Sequence, residues 1–273
     1  MSRKLTENDM PCIMGILNAT PDSFSDGIPD FCEDSDITQK VLDEKLEKIV
    51  NDGAKIVDIG GESTKPGCTP ISWEQEWHRI EKILKTAVLN TEICVSVDTY
   101  HIETAKLALE AGANIINDVE CTTHFEEMLD VIKDFDAQLI VTHNSRKSKN
   151  FSEVHDPVEI IINEFKNIIK ISEKTKFDTN KLIFDPGIGF GKTAEQNLAI
   201  VRGFGRISNE IPYPIVCAVS KKSLFKKISD DKKNLSVLTA VTTFEGFRNG
   251  CKIFRVHDVA ENLAVLNLAK QIL

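Results

Sequence analysis

Asp185-Pro186-Gly187-Ile188-Gly189-Phe190-Gly191-Lys192-Thr193 is a glycine-rich turn between a predicted strand and a predicted helix. The apolar run 181–184 before it predicts the strand, and a helical pattern begins at Ala194. A carboxylate therefore lies where a strand ends, and the glycines after it allow the backbone to approach a ligand closely. A structural turn alone would not account for Asp185, Phe190 and Lys192 together.

The spacing of these glycines does not fit a nucleotide-binding loop. A P-loop needs glycine five residues before Gly191, where Pro186 stands. A dinucleotide-binding fingerprint needs glycine three residues after Gly189, where Lys192 stands. The turn therefore serves another kind of site.

Predicted strands alternate with predicted helices along the whole chain. Such alternation predicts parallel strands joined by crossover helices, and eight repeats in 273 residues fit a (β/α)8 TIM barrel. We predict one barrel over residues 12–273, with long loops at its C-terminal rim, after an N-terminal extension of residues 1–11. An open doubly wound sheet is the alternative. The predicted strands are 12–17, 56–59, 93–97, 115–116, 138–142, 181–184, 215–219 and 253–257.

A partial internal repeat supports the barrel. In each copy a helix-ending glycine leads through two apolar residues to a polar residue. The repeat superposes Asp58, Asn117 and Arg255 at one strand position. The copies are 53–58, 112–117 and 250–255.

Composition narrows the class of protein. The net charge of −9 and the isoelectric point near 5.3 argue against a non-specific nucleic-acid partner. The seven cysteines form no CxxC pair, so neither a disulfide framework nor a zinc knuckle is indicated. The sequence has no 18-residue apolar run and no N-terminal signal core, and we expect a cytoplasmic protein without a membrane span.

Polar residues follow most of the predicted strands, at the rim where barrel enzymes hold their chemistry. Helix capping does not explain so many of them on one rim. Arg255 and His257 alternate with Val256 and should face one side, which suits a diphosphate. Asn18 is an oxygen ligand that Mg²⁺ accepts when phosphates supply other ligands. The rim residues are Asn18, Asp58, Asp98, Asn117, His143, Asp185, Lys222, Arg255 and His257.

Four long motifs carry a resemblance to a known family. They are Asn18-Ala-Thr-Pro-Asp-Ser-Phe-Ser-Asp-Gly27, Gly60-Gly-Glu-Ser-Thr64, Asp185-Pro-Gly-Ile-Gly-Phe-Gly-Lys192 and Arg255-Val-His257-Asp258. In this order, from about residue 13 to the end, they closely resemble dihydropteroate synthase. The resemblance implies a (β/α)8 barrel, usually a homodimer. It also implies an enzyme that joins 6-hydroxymethyl-7,8-dihydropterin diphosphate to 4-aminobenzoate and releases diphosphate, in folate synthesis.

The resemblance also implies roles for individual residues. Asp98, Asn117, Asp185 and Lys222 would hold the pterin. Arg255 and His257, with Asn18 and Mg²⁺, would hold the diphosphate. Thr64, Phe190 and Ser223, with Lys65 beside Thr64, would border the aminobenzoate site. The loops 18–36 and 61–72 would close over the substrates, and the catalytic set would be Asp98, Asp185, Lys222, Arg255 and His257.

The chain departs from the usual family pattern around the pterin floor and the aminobenzoate entrance. Met-His-Met is common after the fifth strand, where this chain has Thr142-His143-Asn144. Ser-Gly is usual where Glu120-Cys121 stands, and arginine is usual at Lys65 and Lys221. Lysine keeps the charge but lacks the planar fork of arginine. We expect weakened sulfonamide binding from these changes.

Three other hypotheses remain. A corrinoid-dependent pterin methyltransferase would share the aspartate and asparagine but would not need the 18–27 motif or the Arg255–His257 pair. A non-enzymatic, pterin-retaining partner subunit is supported only by the departures at Thr142 and Asn144. An unrelated barrel would leave the four motifs unexplained.

Overall fold

The computed structural model describes residues 3–21, 36–64, 67–90, 92–120, 124–148, 151–225, 228–229 and 231–273. The strands are β1 (Cys12–Asn18), β2 (Ile56–Gly60), β3 (Cys94–Asp98), β4 (Ile115–Asp118), β5 (Gln138–Thr142), β6 (Leu182–Asp185), β7 (Val216–Cys217) and β8 (Ile253–Val256). The α-helices are α1 (Asp36–Asn51), α2 (Trp73–Val88), α3 (Ile102–Glu110), α4 (Phe125–Phe135), α5 (Pro157–Lys174), α6 (Ala194–Arg202), α7 (Phe204–Glu210), α8 (Lys232–Arg248) and α9 (Val259–Ile272). No helix in these ranges is both long and apolar enough to cross a bilayer.

The eight strands form one parallel sheet in the order β6-β5-β4-β3-β2-β1-β8-β7. Met14 of β1 is in register with Ile56 of β2 on one side and with Arg255 of β8 on the other. A bridge between Phe184 and Ile215 brings β6 beside the start of β7, so the sheet nearly closes on itself. The predicted (β/α)8 barrel is therefore confirmed, and the open doubly wound sheet is not observed.

The glycine-rich turn is followed at once by α6 because Thr193 and Gln196 form a capping box. The Gln196 N–H donates to Thr193 Oγ1 at 3.2 Å, and the Thr193 N–H donates to Gln196 Oε1 at 3.0 Å. The single helix predicted from Ala194 is in fact two, α6 and α7, divided at Gly203. A Cβ at Gly203 would lie 2.5 Å from Val158 Cγ2, so α5 packs directly against this break.

The buried apolar residues form two layers. The larger layer lies between the strands and the surrounding helices. The smaller layer fills the lower interior of the barrel, and Leu5 of the N-terminal extension packs against it. The extension therefore contacts the barrel floor. That residues 1–11 are a unit distinct from the barrel of residues 12–273 stays a prediction. The interior layer contains Leu5, Cys12, Met14, Ile56, Cys94, Ile115, Ile140, Ile183, Val216, Ala218 and Ile253.

A polar layer lies directly above the apolar floor of the barrel. Alternate residues of a strand face the same side, so the residue two positions after each floor residue also points inward. Ile56 is followed in this way by Asp58, Ile115 by Asn117, Ile183 by Asp185, Ile253 by Arg255 and Cys94 by Ser96. Strand periodicity thus places ionisable side chains inside the barrel, at the ends of the strands.

Candidate active site

A cavity of about 390 Å³ opens at the carboxyl ends of the strands, a size that suits a small organic substrate. Asn117 and Asp185 are almost fully buried, at 3% and 5% exposure, and are not part of its lining. Lys65 and the side chain of Ser223 lie outside the described part of the chain. The predicted site residues that line the cavity are Asn18, Thr64, Asp98, Phe190, Lys222, Arg255 and His257.

Asp58 is the centre of the hydrogen-bond network in the polar layer. Its carboxylate is fully buried and accepts from Ser96 Oγ at 2.6 Å. It also accepts from Asn117 Nδ2 at 3.0 Å and from Arg255 Nε at 2.6 Å. Asp58 is therefore bonded to both of the residues that the internal repeat superposes on it, Asn117 and Arg255. A buried carboxylate with this many donors has the partners that burial of a charge requires.

Arg255 joins two carboxylates. In addition to its bond to Asp58, its Nη2 donates to Asp98 Oδ2 at 2.6 Å. Burial alone would lower the pKa of Arg255, but Asp58 and Asp98 raise it, and the guanidinium stays charged. Burial raises the pKa of the Asp98 carboxyl, and the ion pair with Arg255 offsets only part of that effect.

Within the polar layer, two buried acceptor atoms lack a hydrogen-bond donor among the described residues. They are Asp98 Oδ1 and Asn117 Oδ1. The bond from Asn117 Nδ2 to Asp58 fixes which end of the amide is the oxygen. Leaving a buried acceptor unpaired costs about 1–3 kcal/mol each. A flat molecule with N–H donors along its edge would remove this cost on binding.

Asp185, the last residue of β6, is held by the turn that follows it. Its Oδ1 accepts from the Gly187 N–H at 2.7 Å, and burial raises the pKa of its carboxyl. Gly187 has a φ of 68°, and a Cβ at this position would lie 1.9 Å from the carbonyl oxygen of His143. Only glycine can occupy this position, because both the backbone angle and the space exclude a side chain.

Lys192 stabilises the same turn through hydrogen bonds to backbone carbonyl groups. Its Nζ donates to the carbonyl oxygens of His143 at 3.0 Å, Gly187 at 2.7 Å and Phe190 at 3.3 Å. Burial lowers the pKa of Lys192 to about 7, while the negative charges of Asp185 and Glu164 act to raise it. Lys192 does not line the cavity, so its ammonium group supports the turn itself.

Lys222 lies at the boundary between the turn and the cavity. Its Nζ donates to the carbonyl oxygen of Ile188 and lies 5.1 Å from the ring centroid of Phe190. Burial lowers the pKa of Lys222 to about 8, against the opposing charge of Asp185. Its ammonium is therefore a donor close to the buried Asp185 carboxylate.

His257 is oriented by Ser220. The Ser220 Oγ accepts from the His257 backbone N–H at 3.1 Å and lies 2.9 Å from His257 Nδ1. These two contacts from one hydroxyl fix the orientation of the imidazole ring relative to its own backbone. His257 and Arg255 both line the cavity, as the strand alternation predicts.

Comparison with known proteins agrees with this geometry. The sequence model of the family described as pterin binding enzyme matches residues 14–257. The chain belongs to the pterin binding enzyme family. It is 36% identical over 265 residues to a dihydropteroate synthase of Streptococcus pyogenes, covering 96% of this chain and 95% of that one. It is 34% identical over 258 residues to the dihydropteroate synthase of Bacillus subtilis, covering 94% and 87%.

Solved structures match this pterin-binding barrel along its length. A dihydropteroate synthase of Clostridium difficile, solved in the presence of pteroic acid, has a TM-score of 0.87 at 34% identity, covering 98% of this chain and 99% of that one. A dihydropteroate synthase of Xanthomonas albilineans in complex with 7,8-dihydropteroate has a TM-score of 0.84 at 27% identity, covering 98% and 96%.

Two of the departures from the usual family pattern are bonded to each other. Asn144 Nδ2 donates to Glu120 Oε1 at 2.9 Å and to the carbonyl oxygen of Val119 at 2.7 Å. Lys147 Nζ lies 2.6 Å from Glu120 Oε2. These bonds tie together the loops after β4 and β5 in this pterin-binding protein. Cys121 lies outside the described residues.

Two side chains of the site were not assigned a role from the sequence. Asp58 was placed on the rim only, although the internal repeat, which aligns it with Asn117 and Arg255, already pointed to it. Arg146 lines the cavity from the loop after β5 and had no sequence signal. The positions after β5 that were compared with the family pattern, 142–144, stop short of Arg146, so only the folded chain shows where its guanidinium lies.

Proposed function

We propose that this protein condenses 6-hydroxymethyl-7,8-dihydropterin diphosphate with 4-aminobenzoate to form 7,8-dihydropteroate and diphosphate, as a dihydropteroate synthase of folate biosynthesis. One observation carries the proposal: the buried acceptors of Asp98 and Asn117 lie beside the charged Arg255. This arrangement suits a heterocycle with an N–H edge and an anionic leaving group. We expect the protein to act in the cytoplasm.

The pterin is held by the polar layer. Its N–H edge donates to Asp98 Oδ1 and Asn117 Oδ1, the acceptors without a protein donor among the described residues. Asp185 accepts from the other end of the pterin ring system, and the Lys222 ammonium donates to the carbonyl oxygen of the pterin. The charge-assisted bonds among these are worth about 1.5–3 kcal/mol each.

The diphosphate is held at the mouth of the cavity by Arg255 and His257. Arg255 uses Nε and Nη2 for its two aspartates, which leaves Nη1 for a phosphate oxygen. His257, whose ring is oriented by Ser220, adds an imidazole N–H donor. Both groups stabilise the negative charge that grows on the leaving diphosphate.

A magnesium ion fits this site only together with the substrate. Among the described residues no group of three or more His, Cys, Asp or Glu side chains is arranged to hold a metal. Asn18, the last residue of β1, lines the cavity and offers one neutral oxygen. Mg²⁺ usually keeps water and phosphate oxygens as its other ligands, so Asn18 would complete such a set. When bound, the ion would withdraw negative charge from the leaving group.

The reaction proceeds by loss of diphosphate before attack. The bond between the pterin methylene carbon and the bridging oxygen breaks, and its electron pair leaves with the diphosphate. Asp98 and Asp185 stabilise the positive charge that develops on the pterin. The nitrogen lone pair of 4-aminobenzoate then forms the new C–N bond, and the nitrogen loses a proton to water. An arylamine is neutral at pH 7, so no strong general base is required.

The aminobenzoate lies between the pterin and the loop that follows β2. Thr64 and Phe190 form this part of the cavity lining. Ser223 and Lys65, which follow Lys222 and Thr64 directly in the chain, are also proposed for this site from the sequence.

The test is diphosphate release by the purified protein with pterin diphosphate and Mg²⁺, with and without 4-aminobenzoate, coupled to detection of dihydropteroate. Turnover that requires 4-aminobenzoate supports the synthase. Pterin binding without dihydropteroate would support the partner-subunit hypothesis instead. The matched variant is Asp98→Asn, which removes the charge but not the shape of a pterin-binding group.

We also propose that the protein forms a homodimer through α8 and α9. These adjacent helices expose Val237 and Val241 at about 60%, and Leu268 and Ile272 at 55% and 59%. Exposed apolar side chains in one patch are typical of an interface. Light scattering should give twice the chain mass of 30.5 kDa, and Val241→Glu should give the monomer. A monomeric unmodified protein would refute this assembly.

A further inference from the structure

Four lysine or arginine side chains line the cavity, and most of them already have an acidic partner. Lys221 Nζ lies 2.7 Å from Asp258 Oδ1. Arg255 is paired with two aspartates, and Lys222 lies beside the Asp185 charge. The four are Arg146, Lys221, Lys222 and Arg255.

Arg146 differs from the other three. Within the described ranges its guanidinium donates one hydrogen bond, from Nη2 to the carbonyl oxygen of Thr64 at 2.5 Å. The carboxylate whose charge acts on Arg146 is that of Glu120, and it is already paired with Lys147 at 2.6 Å. A guanidinium has five N–H donors, so Arg146 retains donors for an anionic ligand in the cavity.

The loop that carries Arg146 is fixed against the glycine-rich turn. The Ser145 N–H and Oγ–H both donate to the carbonyl oxygen of Phe190, at 3.3 Å and 2.8 Å. The Arg146 N–H donates to Asn144 Oδ1 at 3.1 Å. A Cβ at Gly191 would lie 2.5 Å from the Arg146 nitrogen, so the two backbones touch. The position of Arg146 is therefore set by main-chain packing.

The guanidinium of Arg146 lies over the face of the Phe190 ring, 4.6 Å from its centroid. Stacking of this kind holds the guanidinium plane and leaves its N–H edge to bind other groups. Thr64 and Phe190, the two residues that Arg146 contacts, both line the part of the cavity proposed for the arylamine. The planar fork of an arginine is the group best suited to a carboxylate.

We propose that Arg146 binds the carboxylate of 4-aminobenzoate and so selects arylamines that carry a negative charge opposite the amine. This inference rests on the proposed synthase function. The amine of the substrate must reach the pterin methylene, which leaves the carboxylate at the far end of the rigid ring. The bond to Thr64 and the stacking on Phe190 place the positively charged guanidinium of Arg146 at that end.

The test compares 4-aminobenzoate with its neutral analogue 4-aminobenzamide at fixed pterin diphosphate. The variants are Arg146→Gln, which removes the charge, and Arg146→Lys, which keeps it without the fork. Lys147→Gln is the matched control, because it removes a neighbouring positive charge that is paired with Glu120 and does not line the cavity. The KM for pterin diphosphate in each variant reports whether the pterin site is intact.

Arg146→Gln should lower kcat/KM for 4-aminobenzoate by about 10- to 100-fold, the loss expected for one charge-assisted contact. It should leave kcat/KM for 4-aminobenzamide within about 3-fold of the unmodified protein, and Arg146→Lys should keep part of the preference for the acid. Lys147→Gln should leave kcat/KM unchanged for both 4-aminobenzoate and 4-aminobenzamide.

Equal losses for both arylamines would overturn the proposal, because Arg146 would then act only by holding the Thr64 loop. No loss for either would overturn it as well. An unmodified protein that forms no dihydropteroate would instead refute the synthase function. In that case calorimetric titration of the same proteins with the acid and the amide decides the Arg146 inference, and a preference for the acid that Arg146→Gln abolishes would still support it.

Discussion

Replacement of Asp58 by asparagine tests the hydrogen-bond network on which the pterin site rests. Asp58 is fully buried and accepts from Ser96, Asn117 and Arg255. Asparagine has nearly the same shape, and its amide nitrogen can face the Ser96 hydroxyl, which is able to accept. The amide oxygen then still faces Asn117 and Arg255. Asp58→Asn therefore removes the charge and keeps the geometry.

The expected magnitude follows from the two bonds that lose their charge. Hydrogen bonds to a charged group are worth about 1.5–3 kcal/mol, compared with about 1 kcal/mol for neutral ones. With mid-range values of about 2–2.5 kcal/mol for a charged bond, each bond loses about 1–1.5 kcal/mol, and the loss at Asn117 Nδ2 and Arg255 Nε together is about 2–3 kcal/mol. For a chain of this size, we expect the melting temperature to fall by about 2–4 °C per kcal/mol, so by about 4–12 °C in total. Asp58→Ala, which leaves Arg255 with Asp98 alone and Asn117 unpaired, should lose more, about 3–5 kcal/mol.

Thermal unfolding followed by circular dichroism measures this loss, and calorimetric titration with the pterin measures its effect on the site. Ser96→Ala is the control, because it removes one hydroxyl donor and leaves the charge of Asp58. It should lower the melting temperature by only about 2–4 °C. If Asp58→Asn melts at the temperature of the unmodified protein, or no lower than Ser96→Ala, the network does not stabilise the barrel as argued.

Four other outcomes are expected. Asp185→Asn should lower kcat for dihydropteroate formation by the equivalent of about 2–4 kcal/mol, and an unchanged kcat would refute its role. Burial raises the pKa of Asp98, and pterin binding needs the ionised carboxylate. As the pH is lowered, kcat/KM for pterin diphosphate should therefore begin to fall at a pH well above the usual pKa of an aspartate. A profile that stays flat down to about pH 5 would contradict this. The pKa of Lys222 is about 8, so the same profile should fall above that pH, and Lys222→Arg should move this limb upward. His101 Nε2 lies 3.0 Å from Glu62 Oε2, and this bond raises the pKa of the histidine. The contribution of the bond to protein stability is fully present below the ordinary pKa of histidine, and it is lost as the pH rises through the raised pKa. His101→Gln should therefore lower the melting temperature more at about pH 6 than at about pH 9, and an equal effect would exclude an ionic contact.

The barrel and the location of its site could be predicted because both depend on local periodicity. Alternation of short apolar runs with helical patterns indicates parallel strands, and the polar residue at the end of each run must lie at one rim. The boundaries were less exact. The helix after the glycine-rich turn is divided at Gly203, where the backbone meets Val158 of α5, and β7 is shorter than the run 215–219.

The pairing of charges inside the barrel could not be predicted in the same way. Arg255 was assigned to the diphosphate, and it does line the cavity, but its Nε and Nη2 bind carboxylates 197 and 157 residues earlier in the chain. Lys192 was named with Asp185 and Phe190 as a residue that a structural turn alone would not account for. Its acceptors instead include the carbonyl of His143, 49 residues away. Such contacts depend on strand register and rotamer, which no local pattern encodes.

By itself, the sequence determined the class of fold, the rim on which the site lies and the family whose motifs it carries. Strand alternation, glycine positions and motif spacing are properties of neighbouring residues, and they survive any rearrangement of the loops. The tertiary structure alone decided that Asp58 joins Asn117 and Arg255, that Asn144 donates to Glu120, and that Arg146 lies over Phe190. These contacts join separate βα units, and they exist only because the parallel, curved sheet brings strand ends that are distant in the sequence within hydrogen-bond distance.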